Sequence, residues 1–238
     1  MTPFKTIGII GGMGPAATAL LFQKIIENTD AKSDGEHPRI VIDNNPAIPD
    51  RTQSILHGDQ APLAPIVEAG NGLIAQGANV LLLPCITAHY FLPEIRRRLS
   101  VPVLSLPKAT ATYCRHRGLR TVAVLATTGT VCSDVFGKEL RRHGIRVLYP
   151  TDAGQEQLMR LIYEQLKAGK PAERDVLLPH LQALSRQGAQ AYILGCTELP
   201  LIYRDGDFGW HFIDVLTVAA RRALRAIGCP TREPLREV

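Results

Sequence analysis

Long apolar runs, paired cysteines and clustered aromatics are all missing from this chain, and each absence narrows what it can be. Nowhere in its 238 residues do 18 consecutive apolar residues occur, so no stretch reads as a membrane helix. The N-terminal "MTPFKTIGII" passes into a Gly-rich loop too soon for a secretory signal, and a cytoplasmic protein is expected. The five cysteines (Cys85, Cys114, Cys132, Cys196, Cys229) are odd in number and lack any CxxC spacing, which argues against a disulfide framework and against a zinc site. With six Phe, six Tyr and one Trp, the chain has no interleaving of aromatic and basic residues on which bases could stack. Its net charge of +5 is carried by short arginine groups such as "EIRRRLS" and "VAARRALRAIG", whose spacing beside apolar residues predicts solvated helix faces rather than a nucleic-acid surface.

What is present is a hydrophobic fraction of 45%, enough to fill one large core or two small ones. Short apolar runs ("TIGIIG", "RIVIDN", "ANVLLLP", "VPVLSL", "TVAVLAT", "IRVLYP", "AQAYILG") alternate with helical patterns at 16–28, 62–76, 94–99, 135–143, 155–168, 172–187 and 215–227. That alternation predicts βαβ units and mostly parallel sheets. The two halves also resemble each other. "TIGIIGGMGP" from Thr6 is echoed by "TVAVLATTGT" from Thr121, and "GANVLLLPCIT" around Cys85 by "GAQAYILGCTE" around Cys196, at nearly the same displacement. The expected fold is therefore α/β, with two pseudo-symmetric Rossmann-like domains, residues 1–100 plus 210–238 and residues 101–209. Each is a mostly parallel sheet flanked by helices, and the active site is expected in the cleft between them. Ligand crevices in such sheets lie at the carboxyl ends of strands, where Cys85 and Cys196 both fall.

The loop Gly11-Gly12-Met13-Gly14-Pro15-Ala16-Ala17 carries G-x-G-x-x-A between a strand and a helix, and Asp43 stands where a ribose acid would. Pro15 removes an amide that could bind phosphate, and the second half offers the hydroxyls of "ATTGT" instead of glycines. A turn presenting amides to a smaller anion such as a carboxylate is the preferred reading. Arg51, in the Pro-punctuated "DNNPAIPDRTQ", is suited to grip a carboxylate with two parallel hydrogen bonds. A cysteine at a strand end beside helix N-termini is expected to have a lowered pKa. His89 reads as a helix-start residue, with a base as the alternative, and Cys114, Cys132 and Cys229 as incidental thiols.

Taken together, "GIIGGMGPAAT", "NNPAIPDRT", "PCITAHYF", "YEQLKAG" and "LGCTELPLI" resemble, in order and over essentially the whole chain, the aspartate racemases of the cofactor-independent aspartate/glutamate racemase family. The resemblance implies an isomerase that interconverts L- and D-aspartate, or a related acidic amino acid such as glutamate, as a homodimer. It implies no pyridoxal phosphate or other cofactor and no metal. Cys85 and Cys196 would be the two acid/base groups. Arg51 would hold a substrate carboxylate and Lys167 the side-chain carboxylate, with Met13, Thr87, Thr127, Thr130 and Thr197 lining the pocket. The chain departs from the family's pattern at Ile86, where an asparagine usually follows the first cysteine, so the exact substrate stays open. A superfamily decarboxylase or isomerase, and a non-catalytic amino-acid-binding protein, are the alternatives.

Overall fold

The computed structural model describes residues 4–232. Its strands are β1 (Thr6–Gly11), β2 (Ile40–Asn44), β3 (Ala78–Leu82), β4 (Thr121–Leu125), β5 (Arg146–Leu148), β6 (Ala191–Leu194) and β7 (Phe212–Asp214). They form two all-parallel sheets of order β2-β1-β3 and β5-β4-β6-β7. Helices fill the connections, as parallel pairing requires: α1 (Pro15–Asn28), α2 (Arg51–His57), α3 (Leu63–Ala75), α4 (Leu92–Arg98), α5 (Leu106–His116), α6 (Thr128–Ser133), α7 (Val135–Arg142), α8 (Asp152–Arg160), α9 (Leu178–Arg186) and α10 (Val215–Ala226).

The repeat visible in the sequence is a repeat of topology. β5-β4-β6 reproduces β2-β1-β3, and the place taken by β7 beside β6 is marked in the first half by Val103, which forms a parallel bridge to Leu81 beside β3. "VPVLSL", expected as a strand, is reduced to this bridge, with Leu81 N–H donating to Pro102 O and Leu104 N–H donating to Leu81 O. Pro102 has no N–H to extend the ladder. Of the residues from 210 onward expected in the first domain, Phe212–Asp214 pairs with β6 and completes the second sheet's edge, whereas α10 packs on α1 and α5. Residues 1–3 and 233–238 lie outside the described residues.

Strand side chains alternate between faces, and here the alternation divides them between three cores. Ile7 and Ile9 of β1, Val80 and Leu82 of β3, Val122 and Val124 of β4, and Ala191 and Ile193 of β6 all enter one cluster shared by both halves. Their neighbours Ile10 and Leu81 enter a core private to the first half, and Ala123, Leu125, Tyr192 and Leu194 one private to the second. Strands buried on both faces read as continuous apolar runs, which is why the sequence shows little polar alternation there.

The shared core is closed by α5 and α10, which pack on each other. After the Val103 bridge, Ser105 caps α5 by accepting from Lys108 N–H, and α5 packs on α7 of the second half. After β7, Asp214 caps α10 by accepting from Leu216 N–H, and α10 packs on α1 of the first. Phe136, 1% exposed, sits in this shared cluster. Replacing it with Ala is expected to cost about 3–5 kcal/mol and, because both halves lean on it, to lower one cooperative unfolding transition rather than split it; denaturant titration followed by circular dichroism checks both.

Candidate active site

The carboxyl ends of β1, β2, β3, β4 and β6 converge, and each carries a loop that supplies side chains to one small cavity. After β1 the chain turns at Gly12 (φ 89°), where an added Cβ would lie 2.3 Å from the Asn45 carbonyl carbon, so only glycine fits. Thr18 braces the turn, its hydroxyl accepting from Gly12 N–H (3.0 Å) and donating to Gly14 O (2.9 Å). This fixes Met13, whose carbonyl accepts from Arg51 Nη2 at 3.3 Å.

Arg51 is the first residue of α2, whose cap is Asp50, accepting from Gln53 N–H. Its Nη1 donates to Ile48 O (3.0 Å) and Pro49 O (2.9 Å), so with the Met13 carbonyl three acceptors fix the guanidinium of Arg51, a residue only 6% exposed. Burial opposes its charge, but the Cys85 sulfur beside it and Asp50 outweigh burial and raise its pKa. Asp50 is opposed by burial too, yet the Gln53 N–H, Lys167, Tyr163 and Arg51 hold it below the usual carboxylate value. Lys167 approaches Asp50 Oδ2 at 4.0 Å and lies 4.2 Å from the centre of the Tyr163 ring, while the Tyr163 hydroxyl donates to Asp50 Oδ2 at 3.0 Å. Both residues come from the end of α8, which continues as a π-helical turn over Leu161–Leu166. Such turns re-aim side chains at functional sites.

The seam between the halves is hydrogen-bonded. Thr87 Oγ1 of the first half lies 3.0 Å from Thr127 Oγ1 and 2.9 Å from Thr130 Oγ1 of the second. Thr197 Oγ1 donates to Pro84 O at 3.0 Å in the opposite sense. Between these bridges Cys85 and Cys196, each 6% exposed, line the same cavity. The space left is about 10 Å³, room for one water.

The two thiols have different neighbours. Cys85 adjoins the Arg51 guanidinium, whereas Cys196 Sγ donates to Glu198 Oε2 at 2.9 Å. The lowering expected for a strand-end cysteine is reversed at Cys196: burial, then the Glu198 carboxylate, push it well above the ordinary thiol value, and only Lys167 among nearby charges pulls the other way. Met13, Arg51, Cys85, Thr87, Thr127, Lys167, Cys196 and Thr197 all line the cavity; Thr130 stands behind it, bonded to Thr87. Sequence reasoning passed over Asp50, Thr52, Tyr163 and Glu198, which also line it. Each lies inside a motif already singled out, "PDRT", "YEQLK" or "CTEL". Among the described residues no group of three or more His, Cys, Asp or Glu is placed to hold a metal ion.

Over residues 10–223 the chain matches the Asp/Glu/hydantoin racemase family. It belongs to that family. This racemase is 29% identical to the broad specificity amino-acid racemase RacX of Bacillus subtilis over 197 residues, 81% of this chain and 85% of the relative. Its structure matches that of the Picrophilus torridus aspartate racemase with a TM-score of 0.88, at 29% identity over 98% of both chains. A Francisella tularensis glutamate racemase, at 16% identity, shares the fold with a TM-score of 0.68, over 98% of this chain and 86% of that one.

His89 of this racemase lies in the 3-10 turn Thr87–Phe91 that leads into α4, the expected helix-start position, and there it fastens the Cys85 loop. Leu106 N–H donates to its Nε2 (3.1 Å), which leaves the proton on Nδ1 to donate to Cys85 O (2.9 Å). Burial lowers its pKa from 6.5 to about 4, so the folded protein keeps it neutral. Between those values the unfolded chain binds a proton that the folded chain does not. Its contribution to stability is complete above 6.5 and falls by about 1.4 kcal/mol per pH unit on acidification towards 4. In His89→Gln that part of the slope is expected to vanish, as measured by urea unfolding across the same range.

Proposed function

We propose that the protein racemises aspartate, or a similarly small acidic amino acid, by two-base proton transfer between Cys85 and Cys196. The observation that carries this is that two thiols, delivered by corresponding strand ends of the two halves, line one cavity beside a buried guanidinium. Inverting a tetrahedral carbon by proton transfer needs a base on one face and an acid on the other. A pseudo-two-fold pair of strands supplies that arrangement, whereas packing alone gives no reason for a cysteine at the same place in each half.

In this reading Arg51 grips a substrate carboxylate through Nε and the remaining Nη2 hydrogen, since the three carbonyls fix the guanidinium and the Cys85 sulfur and Asp50 offset the cost of burying its charge. Lys167 receives the side-chain carboxylate. A thiolate removes the α-proton, the flanking cations and threonine hydroxyls stabilise the enolate-like charge that develops, and the opposite thiol returns a proton. Ile86 gives the cavity an apolar wall where the aspartate-racemase pattern has an amide. The relatives include an aspartate racemase and a racemase of broad specificity; the Arg51 and Lys167 cations favour acidic substrates here. The cavity, with room for about one water, must widen to admit an amino acid, and side chains along the threonine seam have to move apart for that while the shared core holds. The homodimer and the cytoplasmic setting belong to the same proposal; among the described residues no helix is long and apolar enough to cross a membrane.

Cys85→Ser and Cys196→Ser are each expected to lower racemisation by about 10³-fold or more with unfolding midpoints near that of the parent, measured by polarimetry and thermal denaturation; substantial activity in either removes the two-thiol mechanism. Arg51→Lys, which keeps the charge and loses the fork, is expected to raise the KM for aspartate about tenfold, a cost of about 1.4 kcal/mol.

A further inference from the structure

Four buried polar side-chain atoms among the described residues lack a hydrogen-bond partner, and two belong to residues lining this cavity: Arg51 Nε, a donor, and Glu198 Oε1, an acceptor. Glu198 is 2% exposed. Its other oxygen, Oε2, accepts from Cys196 Sγ at 2.9 Å, with Thr197 Oγ1, whose single proton is shared with the shorter bond to Pro84 O, at 3.3 Å. A buried carboxylate oxygen with no hydrogen to accept is costly; Lys167 offsets its charge without bonding to it, and a cationic donor within bonding reach is its natural complement. An α-amino acid carries one, the ammonium group, on the same carbon as the carboxylate that Arg51 is suited to hold.

We propose that Glu198 is a further substrate-binding and proton-positioning residue: Oε1 receives the α-ammonium of the amino acid while Oε2 holds the proton of Cys196. This rests on the racemase reading and extends it to a residue that reading did not use. It accounts for the different surroundings of the two sulfurs. Before substrate arrives, a thiolate at Cys196 would face a carboxylate, so the proton stays on sulfur. Once the ammonium sits on Oε1 the carboxylate's charge is partly offset, and Cys196 can release its proton. In the direction where Cys85 is the base, its thiolate takes the α-hydrogen as a proton and the carbanion keeps the electron pair. The Cys196 S–H bond then breaks, the C–H bond forms on the other face, and the new thiolate is balanced by the ammonium and by Lys167. In the reverse direction each step runs backwards. Other ionisable groups facing the cavity are Asp50 and Arg51 from α2 and its cap, Tyr163 and Lys167 from the π-helical turn, and Cys85 after β3. The rise in the Cys196 pKa, caused first by burial and then by Glu198, agrees with this division of roles.

Glu198→Gln tests it, with two readouts. In the ligand-free protein, the ¹³Cβ resonance of Cys196, assigned against Cys196→Ser, is expected to titrate at lower pH in the variant by about one unit or more, a tenfold change in proton affinity. In calorimetric titrations the parent is expected to bind L-aspartate better than succinate, which lacks the ammonium, and the variant to lose about tenfold of that preference. An unchanged Cys196 titration, or an unchanged preference, overturns the proposal. The titration needs no substrate, so an aspartate that binds without being racemised would sink the activity and leave the role of Glu198 standing. If the glutamine variant shows no folding transition, Glu198→Asp, which draws the carboxylate back by one methylene, is expected to move both readouts in the same direction by less, and no movement there counts equally against it.

Discussion

The structure depends on a core that neither half owns. Alternate side chains of β1, β3, β4 and β6 point into one apolar cluster between the halves, sealed by α5, which packs on α7 and α10, and by α10, which packs on α1 and α5. Two separate domains on a flexible tether would leave the distance between their strand ends free. Here the strands that end near Cys85 and Cys196 are anchored in the same packed layer, and packed interiors transmit position with little slack. The private cores then hold the outer helices that bring Arg51, Tyr163 and Lys167 to the same edge.

Within that frame charge is arranged asymmetrically. Two cations and two carboxylates share the cavity, with the guanidinium against one sulfur and the Glu198 carboxylate against the other. Arg51, Asp50 and Lys167 each keep their charged form because a neighbour offsets desolvation, and Cys196 keeps its proton because burial and a carboxylate act together. The pseudo-symmetry of the backbone therefore does not extend to the chemistry of the two thiols.

Much of this was legible in the sequence because it depends on local pattern. Doubly buried strands and the displaced repeat point to the two sheets and to a cysteine at equivalent strand ends, and Arg51 reads as a carboxylate clamp in the loop after β2, whereas Lys167 follows only from the family resemblance of "YEQLK". What escaped depends on contacts between distant segments. That Phe212–Asp214 would extend the second sheet depends on the open edge of β6, and the reduction of "VPVLSL" to a bridge on Pro102 falling at the ladder. His89 is a helix-start residue as its position suggests, but its fastening role is not legible there because Leu106, which fixes its tautomer, is 17 positions away. The Cys196 pKa was misjudged since helix ends and strand ends argue for a lowered thiol, whereas burial and Glu198, two residues on, decide it.

The most direct test of the central claim, one thiol on each face of one carbon, is the isotopic fate of the α-hydrogen. In deuterated water, with either enantiomer of aspartate sampled early by NMR and chiral separation, the inverted product is expected to carry deuterium at Cα while the unreacted enantiomer keeps its protium. Deuterium accumulating equally in both enantiomers, or inversion with the original hydrogen retained, would mean that a single group serves both faces and would contradict the account.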